Sequence, residues 1–371
     1  MDPIAVSAPD LSGNEEAYVV EAIRSSWISS SGRFLERFET DFAAACGSRA
    51  ALGVCNGTVA LHLALLALDV RPGDEVLVPS LTYVATANAV RYVGAEPVFV
   101  DVDPATWCLD PAQLEASITR RTKGIIAVHL YGHPADMDAI NRVAGIHGLW
   151  VVEDAAEAHF ARYRGRLVGS LAEIATFSFY GNKILTSGEG GALTLSDPQL
   201  ALRARTLRGQ GVDPARRYYF PVTGYNFRMT NVAAALLCAQ LERRDAIVGK
   251  RRALYELYDA ALAGIPGIGF QPVADWAEPA PWLYCITVDA KEYGRSRDAL
   301  AAALFEQGID TRPFFVPLHT LPPFREEAQR RGDACPVTDA LGASGLNLPT
   351  HSGLGPEHVE RIAGAIRAAR W

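Results

Sequence analysis

From about Ala50 to Leu195 the chain alternates short apolar runs with stretches of helical periodicity. The pattern predicts a helix at Ala60–Leu68, a strand at Glu75–Pro79, a helix at Thr86–Tyr92 and a strand at Pro97–Val102. It continues with a strand at Gly124–Leu130, a helix at Met137–His147, and strands at Trp150–Glu153 and Ile174–Tyr180. Such alternation is what a mostly parallel sheet covered on both faces requires. Ligands of these sheets sit at the carboxyl ends of strands. The loops that follow the strands are therefore where chemistry is to be sought.

After Leu195 the character changes. Asn231–Ala263 reads as long helical sequence, and the Pro- and Gly-rich stretch Gly264–Pro281 as a connection into a second unit. That unit has a predicted strand at Trp282–Val288, an Ala-rich helix near Ser296–Gln307, the segment Ile309–Val316 and a last helix at Pro356–Ala369. The expected division is an N-terminal segment 1–30, a large α/β domain 31–245 and a smaller C-terminal α/β domain 246–371. A chain of 371 residues suits about two domains. No internal repeat or low-complexity tract interrupts it.

Composition narrows the class without choosing it. Hydrophobic residues make up 49% and charged residues 21%, an ordinary globular balance. A formal net charge of -7 argues against a nucleic-acid or anionic-membrane binder, so an anionic substrate would need local positive charge. The cysteines at 46, 55, 108, 238, 285 and 335 form no C-x-x-C pair and no zinc or iron-sulfur spacing, and read as buried reduced thiols. Met1–Asp10 lacks the basic-then-apolar pattern of a signal peptide, and no apolar run reaches the roughly 18 residues of a membrane helix. A soluble cytoplasmic protein is expected.

Chemistry concentrates at a few strand ends. Lys183 follows the apolar run Ile174–Tyr180 and precedes the turn Gly188-Glu189-Gly190-Gly191. An amine delivered from a strand end into a partly desolvated place loses pKa and becomes a candidate Schiff-base nucleophile. Taken alone, an ordinary surface lysine is the commoner reading. Asp154 ends the run Leu149-Trp150-Val151-Val152-Glu153, where an acid needs a cationic partner such as a protonated pyridine nitrogen, or else caps a following helix. Gly57 and Thr58 open a helix where a backbone approaches an anion, and Ser178 supplies a second hydroxyl. Tyr83 could present a flat aromatic to a ring ligand or lie in the core. The pair Asn226 and Arg228 suits a carboxylate or phosphate, or faces water.

These motifs occur in order with Thr311-Arg312-Pro313, Pro317-Leu318-His319 and Leu348-Pro349-Thr350-His351, and together the chain resembles the DegT family of sugar aminotransferases from Trp27 almost to its end. The resemblance implies a fold-type-I, pyridoxal-phosphate-dependent transferase of the aspartate aminotransferase kind, working as a homodimer with shared active sites. It implies that Lys183 is the Schiff-base lysine, Asp154 the partner of the pyridine nitrogen and Tyr83 the stacking aromatic. Gly57, Thr58 and Ser178 would bind the phosphate, joined by Asn226 from the neighbouring subunit. Arg228 would anchor the amino-acid carboxylate, and His319 would contact substrate. Most of the family has glutamine where this chain has Glu157, beside the cofactor's phenolic oxygen. A glutamate there is expected to be protonated or turned toward another donor.

Within the family, Ser178–Lys183 and Tyr218–Asn226 most resemble the branch that aminates GDP-4-keto-6-deoxymannose at C4, with L-glutamate as donor. Arg216 and Arg217, beside Tyr218, are the candidates for the pyrophosphate and base, or else a solvated pair on a loop. Other nucleotide-linked keto sugars, aminated at C3 or C4, remain alternatives. Two further readings are a sugar dehydratase of related fold, disfavoured because Lys183 is present and the cysteines are unsuitable, and a catalytically silent regulatory protein.

Overall fold

The computed structural model describes residues 2–213 and 215–370. Its centre is a seven-stranded sheet built from β1 (Ala50–Val54), β2 (Glu75–Pro79), β3 (Glu96–Val100), β4 (Thr122–Val128) and β5 (Trp150–Asp154). After two short strands, β6 (Arg162–Tyr163) and β7 (Arg166–Leu167), it is completed by β8 (Ile174–Ser178) and β9 (Gly191–Leu195). The order is β1-β9-β8-β5-β4-β2-β3. The pairs among β2, β3, β4, β5 and β8 are parallel, while β9 runs antiparallel to both β1 and β8. In register, Val128 stands beside Asp154 and Asp154 beside Thr176.

Helices α1 (Glu15–Arg24), α2 (Arg33–Ala45), α3 (Gly57–Ala67), α4 (Ala85–Tyr92), α5 (Leu114–Ser117), α6 (Met137–His147) and α7 (Pro198–Arg208) accompany this sheet. The stretch expected as one long helix is two, α8 (Asn231–Glu242) and α9 (Arg244–Leu262), broken at Arg243 (φ -111°, ψ 7°). Leu237 and Leu241 of α8 and Ile247 of α9 bury in the core around the large sheet, and Leu254 and Tyr258 further along α9 bury in a second core, so the change of core falls within α9.

That second core lies against a four-stranded antiparallel sheet. Its strands are β10 (Ile268–Phe270), β12 (Tyr284–Val288), β13 (Arg312–Pro313) and β14 (Gly345–Leu348), in the order β10-β12-β14-β13. Strand β11 (Ala277–Glu278) instead pairs with β6 of the first unit. The predicted strand at Trp282 begins two residues later, which frees Trp282 from the sheet. All six cysteines are unpaired, and Cys55 alone is only half-buried. No described helix is long and apolar enough to cross a membrane.

Candidate active site

The carboxyl ends of β1, β2, β5 and β8 open onto one cavity of about 580 Å3, lined by Gly57, Thr58, Tyr83, Asp154, Glu157, Ser178 and Lys183 among others. At its first end lies the start of α3. The Asn56 side chain accepts the Val59 N–H at 2.9 Å, while the first N–H groups of the helix have no partner within it. A Cβ on Gly57 would stand 2.7 Å from the Ser178 Cβ, so only glycine lets the helix start lie this close to β8. An anion placed here meets the positive end of a helix and the Thr58 and Ser178 hydroxyls.

Asp154 closes β5 and is buried. Its Oδ2 accepts the Thr86 hydroxyl at 2.8 Å and its Oδ1 the Ala156 N–H at 3.2 Å. Burial nevertheless pushes its carboxyl above the usual range, ahead of what those bonds recover. No helix follows Asp154, so the capping alternative falls away. A cation brought here would supply the partner that the carboxylate lacks.

Lys183 lies in the connection between antiparallel strands β8 and β9, its N–H closing a turn on the Tyr180 carbonyl at 2.9 Å. The side chain is only 11% exposed, whereas the other three lysines, Lys123, Lys250 and Lys291, are exposed. Burial lowers its pKa, and the carboxylates of Glu157 and Asp154 pull it back up. The amine stands 3.8 Å from Glu157 Oε1 and 4.1 Å from the centre of the Trp282 ring.

Glu157 is where the sequence leads one to expect a carboxyl that is protonated or turned toward another donor. Burial pushes its carboxyl up to about 7, and its Oε2 accepts the Tyr131 N–H at 2.8 Å. Tyr131 reaches it with φ at 52°, a left-handed backbone uncommon for a bulky residue. Its ring belongs to an aromatic wall: Tyr83 lies 5.8 Å from Phe315, Phe315 is 5.6 Å from Tyr131, and Tyr131 is 6.2 Å from Trp282, the last two pairs nearly parallel.

The cavity also gathers residues for which the sequence carried no assigned role: Thr86, Trp282, Arg312 and Asn347. Arg312 is, with Lys183, one of two cations in its lining, and it had appeared only as part of the Thr311-Arg312-Pro313 motif. Thr86 and Trp282 gave no local signal. Other predicted residues lie outside the cavity of their own chain. Asn226 is exposed in a loop bridged to Gly209, and Arg228 donates its Nε–H to the Ser30 hydroxyl at 3.0 Å. The Arg216 and Arg217 guanidinium groups lie over the rings of Tyr219 and Tyr218, with Tyr218 76% exposed. His319 is held between the Ser80 hydroxyl, 2.7 Å from Nδ1, and Asp339, 3.5 Å from Nε2.

A ligand complementary to this lining carries an anion at the α3 end, gains a proton beside Asp154 and offers Lys183 a carbonyl. Pyridoxal phosphate has those three features, and the glycine-walled space between α3 and Ser178 accepts its phosphate end. Fold and cavity together define a pyridoxal-phosphate-dependent transferase of fold type I. Residues 9–367 match the DegT/DnrJ/EryC1/StrS aminotransferase family, and the chain belongs to it. It is similar to the GDP-perosamine synthase of Caulobacter vibrioides, at 50% identity over 98% of this chain and 97% of that one. It is 42% identical to the GDP-perosamine synthase of Escherichia coli O157:H7, over 99% and 98% of the two chains. Among solved structures it resembles S. venezuelae DesV at a TM-score of 0.89 and 40% identity, covering 96% of this chain and 94% of DesV. The protein is accordingly a sugar aminotransferase that uses pyridoxal phosphate.

Proposed function

We propose that this protein transfers the amino group of L-glutamate to C4 of GDP-4-keto-6-deoxymannose, giving GDP-perosamine. The observation that carries the substrate is 50% identity across nearly the whole chain to an enzyme named for that product. The chemistry rests on Lys183 and Asp154 facing one buried cavity.

Bound there, pyridoxal phosphate supplies an electron sink for the carbon that carries the amino group. The start of α3 with Thr58 and Ser178 would hold the phosphate. Asp154 would keep the ring nitrogen protonated. Tyr83 would offer its face to the ring, and Glu157 stands beside Lys183 with its charge tempered by burial. With its amine free, Lys183 would take the proton from the donor's α-carbon onto Nζ and give it to a second carbon, which is general acid-base work at Nζ. The sugar reverses these steps, so kinetics are ping-pong. Arg312 is the positive charge placed for an anionic group of a substrate.

Asn226, Arg228 and the segment bearing Arg216, Arg217 and Tyr218 act across a homodimer interface in this reading. Their place outside their own chain's cavity supports it, as do Leu11, Ile23, Trp27 and Ile28, large apolar side chains each more than half exposed. The domain division proposed at about residue 245 is supported by the second core, which draws on Leu254, Tyr258, Ile286 and Ile362, while Ile247, Trp282 and Phe314 pack in the first. To test the substrate, the protein with pyridoxal phosphate and glutamate is given GDP- and dTDP-linked 4-keto-6-deoxy sugars. Amination of the GDP-linked mannose derivative at C4 is expected, and exclusive turnover of a dTDP sugar would refute the assignment.

A further inference from the structure

We propose that the Trp282 indole is a positioning device for Lys183, giving the amine a seat whenever it is free and steadying it in its protonated form. The inference rests on the reading above only in taking Lys183 as the reacting amine.

One side chain grips Lys183 at both ends. The Trp282 ring lies 4.1 Å under the amine, and its Nε1–H donates to the Asn182 carbonyl at 2.9 Å, in the peptide bond immediately before Lys183. The indole is itself held. Arg251, almost wholly buried, donates from Nη1 to the Trp282 carbonyl at 2.9 Å and to the Thr350 carbonyl at 3.1 Å. The Tyr131 ring lies nearly parallel to the indole at 15°. Trp282 is 3% exposed, so water does not compete for its face.

An aromatic face attracts a cation and is nearly indifferent to a neutral amine, and indole is the strongest of the natural rings in this respect. The other charges facing Nζ divide. Glu157 at 3.8 Å and Asp154 favour the ammonium, while Arg312 opposes it. Glu157 is shared with the Tyr131 N–H and shifted toward its neutral form by burial. The ring, together with the more distant Asp154, is therefore an attraction that persists when Glu157 is protonated. In the proposed transfer a carbon–hydrogen bond breaks, the proton sits on Nζ and is then given to another carbon. The indole steadies the amine through that interval, and no oxidant or co-reactant is required.

The apoprotein tests this without relying on turnover. Trinitrobenzenesulfonate modifies the neutral amine, and with only four lysines peptide mass mapping follows Lys183 alone as pH is raised. Trp282→Leu is expected to lower the midpoint pH for Lys183 by about 0.4 to 1.5 units, with Trp282→Phe falling between it and the wild type. An unchanged or raised midpoint in either variant, with Lys123, Lys250 and Lys291 reacting as before, overturns the proposal. So does a Phe variant identical to Leu, because the hydrogen bond to Asn182 would then account for the whole effect. If the Leu variant does not fold, the Phe variant decides by itself. Failure of the sugar assignment would leave this titration untouched.

Discussion

At the scale of single residues the pair Lys183 and Glu157 sets the pH behaviour of the site. Glu157 is raised from its ordinary 4.5 to about 7 in the folded protein, chiefly by burial. Between those values the unfolded chain binds fewer protons than the native one, so this group costs the native state stability as pH rises through the window. Glu157→Gln removes that loss. Its urea midpoint relative to wild type is expected to climb from pH 4.5 to 7 and to run level on either side; parallel curves throughout would show that Glu157 does not titrate in this range. The residues that sequence placed correctly in the cavity, such as Gly57, Asp154, Ser178 and Lys183, sit within local patterns of strand, turn and helix start. Thr86 and Trp282 were illegible because their partners, Asp154 and Asn182, are remote in the chain. His319 belongs to a motif of the sequence, and tertiary contacts with Ser80 and Asp339, remote in the chain, fix where it stands.

Among elements, the junction of α3 with β8 has least tolerance. Gly57→Ala would bring a Cβ to 2.7 Å from that of Ser178, and relief requires moving either the helix start or the strand end. A stability loss of about 1 to 3 kcal/mol is expected, together with faster loss of pyridoxal phosphate on dialysis. Unaltered cofactor retention in a folded variant would remove α3 from the phosphate site. Strands β2 and β4 and helix α6 were legible to within a few residues because their apolar periodicity is strong and uninterrupted. Strand β9 escaped notice because five apolar-rich residues do not announce a strand, still less its antiparallel direction. The break at Arg243 was equally silent. No glycine or proline marks it.

For the whole molecule, Arg251 is the tie between the two cores. It projects from α9, has no carboxylate partner among the described residues, and is shifted down to about 10 by burial while it serves the carbonyls of Trp282 and Thr350. Arg251→Met leaves those carbonyls without their donor and is expected to cost about 1 to 3 kcal/mol, read as a lower urea midpoint, with Lys183 in the apoprotein shifting in the same sense as in Trp282→Leu. A stable variant with an unmoved lysine would show that the cores hold together by other means. The same neighbourhood ties distant stretches of chain together. The Asn182 carbonyl accepts from Ser7 as well as from Trp282, and the Thr350 N–H donates to the Val6 carbonyl at 2.8 Å. Segments near residues 6, 182, 282 and 350 thus meet beside the reactive lysine. Lys183 therefore owes its surroundings to contacts of long sequence separation, which form only when the whole fold closes, so the site cannot be assembled by any one local segment.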